Sequence, residues 1–151
     1  MTLPNWTTNL RLDPIGVPPY SARGITQWLE PDDGAAQLAR TVNGTLVDLS
    51  DYAFQKFISE ISCSDQQPPA LSGVWPGRVL TVDCVCELCF RTDSDLTPSR
   101  PIAATTDDPA IRTENGFTFY RPRLTMMVVD WTVSFAEWEA DYSWSLRLAE
   151  V

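Results

Sequence analysis

Hydrophobic and polar residues alternate with period two along much of this chain, the pattern of strands with one buried face. The clearest run is 78–90. There Leu80, Val82, Cys84, Cys86, Leu88 and Phe90 share one side, and Val79, Thr81, Asp83, Val85, Glu87 and Cys89 share the other. That predicts a single central strand. In 123–135, Thr125, Met127, Val129, Trp131, Val133 and Phe135 oppose Leu124, Met126, Val128 and Asp130. Both sides are largely apolar, which predicts a strand covered on both faces. Tyr142, Trp144, Leu146 and Leu148 form the inner side of a last strand.

Shorter elements fill the rest. Residues 22–30 and 58–63 read as strands, and 116–120 begins another that Pro122 interrupts. Asn43-Gly44 stands between 37–42 and 45–49 and predicts a two-residue type I′ hairpin, whose turn residues both need positive φ. Ser50 or Asp51 is placed to cap a short helix over 51–57, with Tyr52, Phe54 and Phe57 as its apolar residues. Prolines and glycines make 66–77 a loop, with Trp75-Pro76-Gly77 as a turn into the next strand. Residues 91–116 show no periodicity and read as a long irregular loop, a surface excursion or a contact that orders on assembly. The N-terminal 1–21 reads as an edge segment or an arm, because four prolines exclude a long helix there. The expected fold is mostly β: one domain over 22–151, a β-sandwich or barrel of seven to eight strands, with one short helix and the 91–116 loop.

A chain of 151 residues suits one domain and buries roughly 70% of its unfolded surface. No apolar run approaches the ~20 residues of a membrane span. The start, Met1-Thr2-Leu3-Pro4-Asn5-Trp6, has neither the basic nor the apolar stretch of a signal peptide, so synthesis in a cytoplasm is expected. Twenty acidic residues, eleven basic ones and no histidine give a net charge of −9. Such a surface repels phosphates and argues against specific nucleic-acid binding. It does suit a surface past which DNA slides.

Candidate chemistry is sparse. Cys63, Cys84, Cys86 and Cys89 match the number of ligands at a zinc site, but the one Cys-x2-Cys lies within a predicted strand. Alternation there sends Cys84 and Cys86 to the core and Cys89 away from it, so buried apolar thiols are expected and no metal. The pairs Asp32-Asp33, Asp93/Asp95 and Asp107-Asp108 fall in turns or the long loop, where aspartate serves turn geometry. Without histidine there is no Ser-His-Asp or Cys-His arrangement. Lys56 is the sole lysine, and no glycine-rich phosphate loop is present. No enzyme and no cofactor are expected. Trp28, Trp131 and Trp144 lie in periodic strands and read as core. Trp75 and Trp138 lie near turns and read as exposed, which keeps a carbohydrate- or receptor-binding module open. Tyr120-Arg121-Pro122-Arg123 sets two arginines where an aspartate-rich loop of another copy, or of the same chain, would pair with them.

Four runs resemble small virion proteins encoded in the structural gene clusters of tailed bacteriophages. They are Thr26-Gln27-Trp28-Leu29-Glu30-Pro31, Arg40-Thr41-Val42-Asn43-Gly44-Thr45-Leu46-Val47-Asp48-Leu49-Ser50, Gly116-Phe117-Thr118-Phe119-Tyr120-Arg121-Pro122-Arg123-Leu124, and Trp144-Ser145-Leu146-Arg147-Leu148-Ala149-Glu150-Val151. The resemblance implies a β subunit of the virion with no catalytic residue, repeated in a ring or lattice. A tail position (tube, distal-tail or baseplate ring), with assembly through the 91–116 loop and the N-terminal arm, is the expectation, and a capsid decoration protein is the alternative. The partners it implies are further copies and other virion proteins, not a membrane. The candidate interface comprises Trp6, Trp75, Asp93, Asp95, Asp107, Asp108, Tyr120, Arg121 and Arg123.

Overall fold

The structure, a computed structural model, describes residues 8–32, 38–49, 55–93, 98, 100–103 and 110–151. These residues are mostly β and include no helix. Residues 51–54 of the expected 51–57 helix lie outside the described residues, and Phe57 opens a strand instead. The strands are β1 (Arg11–Asp13), β2 (Thr26–Pro31), β3 (Leu38–Arg40), β4 (Leu46–Asp48), β5 (Phe57–Asp65), β6 (Val79–Asp83), β7 (Leu88–Arg91), β8 (Ile111–Glu114), β9 (Phe117–Tyr120), β10 (Arg123–Ala136) and β11 (Asp141–Glu150). That exceeds the expected seven to eight because one predicted strand splits, the long loop contains another, and the N-terminal segment supplies β1.

Six strands form the main sheet in the order β1-β6-β10-β11-β5-β2, all neighbours antiparallel. Its inner face carries Leu80, Val82, Leu124, Met126, Trp144, Leu146, Leu148 and Ile61, all buried. Each such side chain contributes about 1.5–3 kcal/mol by leaving water. Leu10, Ala22, Leu71 and Val74 cover this face from flanking segments. Two strand tryptophans hold those segments down. Trp144 Nε1 donates to the Ser21 carbonyl at 2.8 Å, and Trp131 Nε1 donates to the Val74 carbonyl at 2.7 Å.

The predicted strand 78–90 breaks in two. β6 stays in the main sheet, whereas β7 joins β9 and β8 in a three-stranded sheet. The cause lies on the partner strand. Pro122 stands between β9 and β10 and has no N–H for the ladder. Its carbonyl still accepts from Cys84 N at 3.0 Å. Beyond that bond, four residues from Cys84 to Glu87 face only Arg121 and Pro122 before pairing resumes at Leu88↔Tyr120. The two-strand ribbon bends at this mismatch.

β10 carries a second irregularity. Its pairing with β11 runs Val128↔Leu148 and then Asp130↔Arg147, so Val129 is the extra residue of a bulge. The insertion reverses the alternation. Trp131, Val133 and Phe135 join Leu124, Met126 and Val128 on the inner side, while Thr132 and Ser134 turn outward. The strand is therefore not covered on both faces. Its two-sided apolar pattern is one apolar side read across a one-residue slip. Outward-facing Met127 and Val129 are exposed.

Both Asn-Gly pairs form hairpin turns, but the type differs from expectation. In the ribbon β3–β4, Thr41 N donates to the Thr45 carbonyl and Gly44 N to the Thr41 carbonyl. Gly44 has φ +83°, and Asn43 is not in the left-handed region. This is a three-residue connection with a glycine bulge, not type I′. The type I′ geometry occurs at Asn115 (φ 52°) and Gly116 (φ 83°), joining β8 to β9 with Glu114↔Phe117 as the closing pair. Residues 91–116 are thus not wholly irregular: β8 lies in this stretch and pairs with β9.

Candidate assembly surface

The register defines the outer face of the main sheet row by row, since residues directly opposite in antiparallel strands share a face. Nearest the bend, Arg11, Asp83 and Arg123 line up across β1, β6 and β10. Arg123 Nε donates to Asp83 Oδ1 at 2.7 Å, and this bond raises the Arg123 pKa further. Next along β10 comes a row of Asp13, Thr81 and Thr125, and then a largely apolar one, Val79, Met127, Ala149 and Ile58, which ends at Glu30 on β2. A charged row follows, with Asp130, Arg147, Glu60 and Trp28; Arg147 and Asp130 pair at 3.1 Å. Two hydroxyl rows come last. Thr132, Ser145, Ser62 and Thr26 form one, Ser134, Ser143 and Ser64 the other. Thr132 and Ser145 hydroxyls lie 2.8 Å apart, as do those of Ser64 and Ser143. Trp28, expected in the core, stands on this outer face and is partly exposed.

Past these rows the β10–β11 hairpin projects beyond the covering segments. On its inner side Val133 is 37% exposed, Phe135 50%, and Trp138 in the connecting turn 96%. Phe135 and Tyr142 stack on each other with ring centroids 4.5 Å apart. Every residue from 132 to 136 is exposed, whichever face it occupies. β6 pairs with β10 only from Arg123 to Met127, and the last bonds on that edge join Val128 to Gly77 and Arg78. Among the described residues, no backbone hydrogen bond reaches this edge of β10 from Val129 to Ala136. The turn Trp75–Arg78, closed by Arg78 N donating to the Trp75 carbonyl at 3.1 Å, sits where the pairing stops. Trp75 on that turn is 75% exposed, in line with its turn position in the sequence.

The expected interface residues are spread over several environments. Trp6, Asp95, Asp107 and Asp108 lie outside the described residues. Asp93 is exposed after β7. Tyr120 and Arg121 are 3% and 5% exposed, packed inside the chain, with Arg121 N donating to the Ala110 carbonyl at 2.8 Å. Arg123 is paired with Asp83 of its own chain. Of the described members, Trp75 lies at the β10 edge, whereas Asp93, Tyr120, Arg121 and Arg123 lie elsewhere. Val133, Phe135 and Trp138 stand outside that set; the signal that marks their neighbourhood is 131–136, an uncharged run in an acidic chain.

Parts of 91–116 are tied to the same molecule. Arg100 Nε and Nη2 donate to the two carboxylate oxygens of Glu150 at 2.6 and 2.7 Å, and Glu150 also accepts from Phe57 N. Ala103 N donates to the Arg121 carbonyl, and Ile102 forms a bridge with Pro122.

The four thiols do not converge. Cys84 is buried at the bend, and burial pushes its pKa up to about 12. Cys86 donates to the Gln27 carbonyl at 2.8 Å, Cys63 to the Arg23 carbonyl at 3.2 Å, and Cys89 is exposed on the three-stranded sheet. Among the described residues no group of three or more Cys, Asp or Glu side chains is arranged to hold a metal ion. In comparisons with known proteins, no family model, no curated protein and no solved structure matches the chain.

Proposed function

We propose that this chain is a structural subunit of a tailed-phage particle, most consistent with a tail tube, distal-tail or baseplate component. The observation that carries the assembly part is the projecting end of β10–β11. It displays Val133, Phe135 and Trp138 to solvent beside a backbone edge with no described partner. Apolar side chains and open strand edges displayed together are costly in a subunit that works alone, because they template association. In a subunit built into a larger body, neighbours cover them. The phage part rests on the sequence resemblance.

Two further features support the reading. The net charge of −9 opposes association of copies through their charged surfaces. The main sheet also curls, so that the chain leaving β6 meets β2, the far edge strand. We read that closure as barrel-like, which makes the domain a stiff block suited to repetition.

The test is electron microscopy of tailed particles from a lysate in which this chain is made, labelled with antibody against it. Label on the tail is the expected result. Label on the head surface would move the chain to a decoration role. Particles without label, together with glycan binding by the purified protein, would replace the virion reading with a carbohydrate-binding one through Trp75 and Trp138.

A further inference from the structure

We infer that the open edge of β10 pairs antiparallel with the same edge of a second copy, so that two main sheets join into one. This deepens the assembly reading by naming the surface and the partner.

The backbone comes first. Strand edges carry unpaired N–H and C=O groups that add another strand without any change of fold. Among the described residues, the open stretch runs from Val129 to Ala136, far longer than the three-residue edge strand β1. At β2, the other edge, the Gln27 carbonyl is already taken by Cys86. Among the described residues of the main sheet, β10 therefore offers the longest open edge.

Charge selects the partner. Two copies that each carry −9 repel, so they meet where charge is absent. Trp131-Thr132-Val133-Ser134-Phe135-Ala136 contains no ionisable side chain. The neighbouring acid Asp130 is already paired with Arg147.

Side-chain facing selects the register. A two-fold axis normal to the sheet keeps inner residues opposite inner residues, so it lies midway between one residue and the same residue of the partner, and Val133 is the centre of the exposed run. Val133 then faces the partner's Val133, Trp131 faces the partner's Phe135, and Thr132 faces the partner's Ser134. Aromatic and β-branched cross-strand pairs of this kind are favourable. Val129 lies opposite the partner's Glu137, so the Trp75 turn comes alongside the partner's hairpin tip and Trp138. Both exposed tryptophans are covered by one contact.

The experiment is the mass of the full-length protein in solution by light scattering, for wild type, Val133→Glu and Met127→Glu. A dimer is expected for wild type and for Met127→Glu, which alters the outer face but not the edge. A monomer with unchanged far-ultraviolet circular dichroism is expected for Val133→Glu. Added salt tightens the dimer by screening like charges. In a Cys89→Ser background, Val133→Cys places two thiols at the axis and gives a disulfide-linked dimer on mild oxidation. A wild-type monomer overturns the edge pairing, as does an oligomer unchanged by Val133→Glu. Neither result bears on antibody label at phage tails, so the two readings fail separately.

Discussion

Gln27 on β2 accepts the backbone N–H of Val85 at its side-chain Oε1, 2.8 Å away. The same oxygen lies 3.4 Å from Cys86 N, and Gln27 Nε2 donates to Ser59 Oγ at 3.2 Å. β2 is the last strand of the main sheet, and Val85 follows β6, the second from its other end. One amide side chain therefore joins the two ends of a curled sheet. It does so at the bend, where β6 has left its ladder and its N–H groups need another acceptor.

Replacing that amide leaves the Val85 donor without its acceptor. Gln27→Leu is expected to cost about 1–3 kcal/mol, the usual penalty for a stranded polar group. Urea unfolding measures the loss. Amide hydrogen exchange at Val85 and Cys86 should speed up more than at Leu146 in the centre of the sheet.

Asp65 predicts an acid-dependent stability. The Arg23 side chain, donating from Nε and Nη2, holds the carboxyl below the usual carboxylate range, against an opposing effect of burial. Backbone N–H groups of Arg23 and Gln66 add to the lowering. A depressed folded pKa means stability that is full above the unfolded value of about 3.9 and lost as pH falls through the folded value. Asp65→Asn is therefore expected to melt below wild type at neutral pH, with the gap closing under acid. Melting curves across that range decide it. A gap independent of pH would remove the ionised carboxylate from the account.

The two hairpin glycines should differ in reach. Each has φ +83° with open space around a built Cβ, so alanine brings backbone strain without a clash. That strain is about 1–2 kcal/mol per residue. Gly116→Ala strains the β8–β9 turn, whose Tyr120 is buried, and is expected to lower global stability by that amount. Gly44→Ala strains a ribbon that, among the described residues, pairs only with itself. Its expected effect is local, seen as faster exchange at Thr41 and Thr45 with little change in melting temperature.

Thiol reactivity should follow burial. Cys89 is exposed and reacts first with a thiol reagent. Cys86 and Cys63, partly buried with pKa values raised by desolvation, react more slowly. Cys84, with its pKa near 12, reacts only on unfolding. Mass mapping of the modified cysteines over time gives the order. Early labelling of Cys84 would mean the bend opens in the native state.

Several parts of this molecule are legible in local pattern alone. The Tyr142-Trp144-Leu146-Leu148 face, the strand beginning near Ile58 and the Trp75-Pro76-Gly77 turn all follow from it. Asn115-Gly116 obeys the same rule as Asn43-Gly44, but Ile111-Arg112-Thr113-Glu114 before it lacks alternation, since all four are exposed. Of the candidate surface, Trp75 and Trp138 are marked by their places near turns. Val133 and Phe135 resemble ordinary core positions, because alternation marks an inner-facing residue whether or not anything covers it.

Local pattern along the chain carries the β character, the identity of most inward-facing residues and the acidic, histidine-free surface. Each depends on side-chain chemistry and on a two-residue period that neighbours along the chain already express. Where that period slips, and where strands run out of described partners, is set by contacts between strands. The bulge at Val129 is set by pairing with β11, the bend at Cys84 by Pro122 across the ladder, and the open edge of β10 by the point at which β6 stops. All three depend on residues distant in sequence meeting across a strand pair, and a period read along one strand carries no record of its partner.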